Sequence, residues 1–216
     1  MPSFGQKLKA RYGLILHPNI PKPLHGTAPR TLLGTTWWDG ARRDAYRKAQ
    51  RRCMCCGELV TKDALYPRLE AHECYSVDYD RCRLTFTEVV ALCHWCHMGI
   101  HTGLASVLHT TRQMPNAEYK RIMAHRERIL AKWAKDAVGD PSVATVGDPN
   151  RCPCAWSQWH LMIGEDRFEG QWESFDHWKA HYAQMKGPMP ELPGVVPLDL
   201  PFDRWYDDEE GWGLED

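Results

Sequence analysis

Cys53-Met54-Cys55-Cys56-Gly57 and, further along, Leu92-Cys93-His94-Trp95-Cys96-His97-Met98-Gly99-Ile100-His101 are the two stretches around which the rest of the chain organises itself. Each holds a Cys-x-x-Cys pair, Cys53/Cys56 and Cys93/Cys96, and such a pair forms a tight knuckle that aims both sulfurs inward. Two knuckles can surround one Zn2+ with four thiolates at about 2.3 Å. Between them lie 36 residues, 57 to 92, more than the usual spacing of roughly 15 to 20, so a structured insert is expected. Cys55 is the spare of the first cluster, since exchanging it for Cys53 spoils the two-residue spacing.

His97 and His101 stand four apart in what should be the first turns of a helix, a spacing that puts both imidazoles on one face, suited to a second metal. The insert supplies Leu69-Glu70-Ala71-His72-Glu73-Cys74 as a strand and Arg81 to Thr87 as its return. Strand alternation groups Glu70, His72 and Cys74 on one face and Leu69, Ala71 and Glu73 on the other. His94, His109, His125 and His160 have no partner arrangement in the sequence.

Residues 53–101, two strands and a helix with one strand His and two helix His beside paired zinc knuckles, resemble the HNH endonuclease family. The wider arrangement, with Trp37-Trp38, is similar to HNH-like proteins of tailed bacteriophages. The resemblance implies a ββα-metal core, structural Zn2+ on Cys53, Cys56, Cys93 and Cys96, and a second divalent ion (Mg2+, Mn2+, Ni2+ or Zn2+) on His72, His97 and His101. Two departures stand out. The family places a metal ligand directly before the general-base His, whereas here Ala71 precedes His72; and the family's middle Asn is absent, Glu88 being the nearest polar residue. In one assignment the chain turns at Glu73, His72, His97 and His101 ligate, and Glu73 orients or deprotonates the water. In the other, His72 is the base and Glu73 or Asp78 completes the site. The catalytic candidates are therefore His72, Glu73 and His97. A structural role for the histidines stays open, so the implied function is metal-dependent phosphodiester hydrolysis or, alternatively, non-catalytic nucleic-acid or protein binding on the same frame.

The 216 residues are 43% hydrophobic and 25% charged, ordinary globular values that exclude collagen-like, rod-like and wholly disordered chains. A net charge of -1 hides a split: residues 1–140 carry 22 Lys+Arg against 13 Asp+Glu, residues 141–216 carry 5 against 15. Only the first part can neutralise phosphates, so nucleic acid, with DNA the favoured form, is expected to bind there, and the acidic tail is left for a protein partner. After Trp37-Trp38, Asp39 is expected to cap a helix running to about Arg52, with Arg43, Arg47 and Arg51 as one phosphate-facing stripe. A second helix is expected over 116–136, with Tyr119, Ile122, Met123, Leu130 and Trp133 inward.

Nine crowded cysteines and the absence of a secretory leader favour reduced thiols and a cytoplasmic location, the host cytoplasm for a phage protein. The longest early apolar run, Leu14-Ile15-Leu16, is far short of a membrane span of about 20 residues. The expected class is α+β: a zinc-stapled ββα core with flanking helices over 1–136 and a Gly/Pro linker over 137–151. A small hairpin-helix module over 152–186 and a Pro-rich acidic tail over 187–216 follow. In that module Ser174 caps the helix, and Cys152, Cys154, His177 and His181 offer a weaker second zinc set.

Overall fold

The longest regular element of the insert is an antiparallel hairpin, β1 (Leu69–Asp78) and β2 (Arg83–Cys93). Both strands are longer than expected, because the alternation of β-branched and aromatic residues runs on through Tyr75-Ser76-Val77 and through Val89-Val90. The strand therefore does not turn at Glu73. It passes through it and is interrupted one residue later, where the register shifts between Cys74/Tyr75. Cys74 pairs with Glu88 and Tyr75 with Phe86, leaving Thr87 as the extra residue of a β-bulge, its hydroxyl donating to the Cys74 carbonyl at 3.0 Å. Asp78 closes the far end. It accepts from the amides of Asp80 and Arg81 and pairs with Arg81 and Arg83, so it caps the turn and is not a site carboxylate.

This hairpin explains the long gap between the knuckles. Leu69 pairs with Cys93 at its open end, so the insert returns the chain to where it left. Met54 donates its amide to the Ala91 carbonyl at 2.9 Å, which fastens the first knuckle to β2. Cys93 then caps α3 (His94–Ile100), followed by α4 (Thr102–Thr110) and α5 (Asn116–Asp136). α5 lies as expected, but its fully buried face is Ile122, His125 and Ile129, with the predicted Tyr119, Met123, Leu130 and Trp133 half-buried around it.

Upstream, the short helix α1 (Pro29–Leu32) leads into α2 (Gly34–Ala49). Asp39 lies inside α2 rather than at its cap and pairs with Arg42. The helix stops at Ala49 because Gln50 and Arg51 adopt left-handed φ of 49 and 61°. Arg51 thereby leaves the expected stripe and donates to the Val60 carbonyl at 3.1 Å, while Arg47 pairs with Asp44. The three arginines do not form one phosphate-facing row.

The C-terminal hairpin, β4 (His160–Ile163) and β5 (Asp166–Glu169), does not stand apart as a separate module. β4 pairs with β2 in parallel, and β3 (Thr145–Val146), inside the expected linker, pairs with β1, giving one sheet in the order β3-β1-β2-β4-β5. Trp159, Leu161, Tyr75, Val77 and Leu84 form a shared core, one that neither segment could bury alone. The helix α6 (Phe175–Met185) follows, Ser174 Oγ accepting from the His177 amide at 3.2 Å as expected of a cap. Trp172 and Trp178 donate to His25, so the N-terminal arm ahead of α1 is fastened to this segment.

One expectation about the thiols fails. Cys82 and Cys154 form a disulfide, sequence separation 72, which fastens the β1–β2 turn to the segment before β4. It also removes Cys154 from the weaker zinc set, whose His177 packs edge-on against Trp172. Closing so long a loop restricts the unfolded chain, so the Cys82→Ser/Cys154→Ser double variant is expected to lose about 4 kcal/mol. Urea unfolding checks this, and an unchanged midpoint would show that the bridge is dispensable.

The computed structural model describes residues 9–136 and 144–185, without the side chains of 182–185; the acidic tail, residues 137–143 and the side chains of Tyr182 and Met185 lie outside the described residues. The chain divides into two units, Met1–Trp178 and Lys179–Asp216. The described part is mixed α and β, as expected. Among the described residues no helix is long and apolar enough to cross a membrane.

Candidate metal centre

Cys53, Cys56, Cys93 and Cys96 are all buried and their sulfurs lie within 4.8 Å of one another, so this group could hold a metal ion, as expected. Sulfurs placed tetrahedrally at about 2.3 Å from one ion sit about 3.8 Å apart. Cys56 and Cys93 Sγ are 3.9 Å apart. The first knuckle turns at Gly57, φ 76°, with its amide on the Cys53 carbonyl, and the Cys56 amide points at the Cys53 sulfur at 3.5 Å. Sulfurs this close cannot all ionise without a cation. Hydrogen bonds from Cys53 and then Cys93 hold the Cys56 thiol far below its ordinary range, whereas Cys96 is pushed far above it by Cys53 and its other sulfur neighbours.

His125 joins this cluster from α5. Arg128 donates to its Nδ1 at 2.8 Å, which leaves the proton on Nε2, 3.1 Å from the Cys96 sulfur. Such an outer hydrogen bond offsets thiolate charge and orients the ligand. The sequence offered only a weak signal for it, a His on the inward face of α5 in step with Ile122 and Ile129.

A second group comprises His72, His97 and His101, each offering a nitrogen within 4.8 Å of the others. His72 comes from β1, His97 from α3, and His101 from the break between α3 and α4, where its φ and ψ of -84 and 48° end the first helix. His101 Nε2 and His72 Nδ1 are 3.2 Å apart. Imidazole nitrogens at 2.0–2.1 Å from a tetrahedral ion are separated by about 3.3 Å. His72 Nε2 is buried with no hydrogen-bond partner among the described residues. Three imidazole nitrogens at this spacing could hold a divalent ion.

Glu70, on the same strand face as His72, holds this group in place. Its carboxylate binds Nδ1 of both His94 and His97, leaving His97 to present Nε2. A carboxylate behind a ligating imidazole fixes its tautomer and raises its basicity. Burial alone would raise the Glu70 pKa, but the bonds from His94 and His97 outweigh it and hold it down at about 2. The alternation of β1 had put Glu70 on the correct face, but only the position of α3 shows what it touches.

His17, from the N-terminal arm, packs edge-on against His72 with ring centroids 4.8 Å apart. With His72 and Cys74 it makes a further group of close donors. Its Nε2, however, accepts from the Tyr75 amide at 2.8 Å, so in the neutral ring the remaining nitrogen carries the proton and no lone pair is left for a metal. His17 supports His72. Glu73 is buried on the opposite face, accepting from the Arg30 amide and the Tyr75 hydroxyl, each at 3.1 Å.

Burial holds His17 down to about 4, and His101 to about 3 by burial first and then the charges of His97, His17 and Arg30. Both rings are neutral in the fold but take up protons in the unfolded chain below the ordinary value of 6.5. The unfolded state then binds more protons, so stability is complete above that value and falls as pH drops from 6.5 towards 4. Thermal melts between pH 7.5 and 5 without added divalent ion check this, with His17→Gln expected to flatten the decline; equal slopes would assign it elsewhere.

Compared with protein-family models, curated proteins and solved structures, the chain matches none.

Proposed function

We propose that the protein is an HNH-like, metal-dependent endonuclease acting on nucleic-acid phosphodiester bonds, with DNA the favoured substrate. The observation that carries the reading is the convergence of His72, His97 and His101, backed by Glu70, directly beside the four-cysteine group. In this reading Cys53, Cys56, Cys93 and Cys96 bind structural Zn2+, and the three histidines bind a second, exchangeable ion. That ion supplies Lewis-acid stabilisation of phosphate charge. Glu70 keeps His97 oriented, and His17 keeps His72 in place. Glu73, expected as a catalytic candidate, is not placed for that role: it is buried on the face of β1 opposite His72, and its two carboxylate oxygens accept from the Arg30 amide and the Tyr75 hydroxyl. Lys120, Arg121 and Lys132 on α5 supply exposed or half-exposed positive charge on the same unit as the site.

The alternative, a non-catalytic binding protein, draws on the same 3.2 Å contact, because His72 and His101 can satisfy one another through a hydrogen bond. Metal analysis combined with plasmid nicking separates the two. The enzyme should hold one tight zinc, take up a second exchangeable ion and nick DNA only when it is supplied; a single zinc with no nicking in Mg2+, Mn2+, Ni2+ or Zn2+ would leave the binding reading.

A further inference from the structure

Beside the strand that carries His72 stands a cation-aromatic pair that takes no part in the proposed chemistry. Arg30 opens α1 and Trp38 lies on α2, and the Arg30 guanidinium carbon sits 5.7 Å from the centre of the Trp38 ring. The Arg30 side chain is 57% exposed. Its nearest carboxylate, Glu73, is 3.9 Å from Nε, too far for a hydrogen bond, and its guanidinium makes no hydrogen bond among the described residues. The backbone is anchored all the same, since the Arg30 amide donates to Glu73 Oε1. Trp38 is half-buried, and its neighbour Trp37 is braced edge-on by Phe86 of β2 at 5.7 Å. Glu73 follows His72 in β1, so this anchor sets Arg30 beside the strand that carries His72.

We infer that Arg30 and Trp38 form a subsite for one unpaired nucleotide at the edge of the histidine group. The guanidinium, lying over one face of the indole, takes a phosphate with its donor edge, and the other face of the indole takes the base. Arg presents a rigid fork of donors matched to phosphate oxygens, and an indole stacks on any base, so the subsite needs no sequence. A stacked base must be out of its duplex, which makes the ligand single-stranded or locally unpaired nucleic acid. A bare cation would bind any polyanion; the paired ring narrows it to nucleotides. The inference takes its substrate class from the proposed nuclease reading, but it concerns binding and is tested without cleavage.

The test is fluorescence anisotropy of the full-length protein with a fluorescein-labelled oligothymidylate and with a duplex of equal length, no divalent ion added. Arg30→Ala and Trp38→Ala should each weaken oligothymidylate binding at least about five-fold. Arg30→Ala should also lower the salt slope by about 0.7, one phosphate contact on a single strand. Trp38→Phe should recover most of the affinity and Arg30→Lys part of it, which separates a lost contact from a damaged fold. Trp38→Ala should leave duplex binding unchanged. The inference is overturned by wild-type affinity in both alanine variants, by equal weakening on duplex and single strand, or by no oligothymidylate binding at all. If the variants lose binding while the unaltered protein cuts nothing in any metal, the subsite stands and the nuclease reading falls.

Discussion

Stripping the four-cysteine group of its metal with a strong chelator is expected to unfold the protein around it, and Cys96→Ser should yield little folded material. The four cysteines are not attached to the outside of a finished core. They are part of it, packed with Leu14, Ile15, Ala45, Ala49, Val90, Leu92 and Ile129. Metal binding to a structural site of this kind contributes roughly 10 kcal/mol or more, comparable with the whole net stability of a domain. Loss of the ion also leaves buried sulfurs that repel as thiolates and lack partners as thiols. A milder variant, His125→Leu, removes only the hydrogen bond to the Cys96 sulfur and should weaken zinc affinity by about 10- to 100-fold with the fold intact. Near-ultraviolet circular dichroism with and without chelator, alongside a colorimetric zinc assay, reads both. A protein that releases no zinc and melts identically after chelation would disprove a structural metal here.

His97→Ala is expected to abolish nicking while the tight zinc remains bound. Among the described residues His97 is the one imidazole of the three hydrogen-bonded to a carboxylate, and it contributes no ligand to the four-cysteine group, so its loss should be felt at the exchangeable ion alone. Glu70→Gln is the finer probe. It keeps the size of the side chain but weakens its grip on His94 and His97, and an outer-shell change of this kind costs about 10- to 100-fold in metal affinity. Titration with Co2+, followed by its visible absorption, measures that loss, and plasmid nicking measures the consequence. Unchanged Co2+ binding in His97→Ala would remove this group from the mechanism.

The local patterns were legible because they depend on spacing alone. Two-residue gaps make knuckles, a four-residue gap puts His97 and His101 on one side of a helix, and the apolar stripe of 116–136 marks α5. Strand alternation likewise placed Glu70 and His72 on one face. What spacing does not carry is where a chain far away in sequence comes to rest. His17 reaches His72 across the fold, His125 reaches Cys96, and Arg30 reaches Glu73. Residues of the expected linker and C-terminal module complete the sheet, because exposed strand edges and half-cores are satisfied by whichever segment buries them. The bulge at Thr87 belongs to the same class, since it comes from matching ten residues of β1 to eleven of β2. The sequence by itself determined which atoms can bind a metal; the tertiary structure alone decided which of them meet, because ligation needs nitrogens and sulfurs within a few ångströms and only packing brings them there.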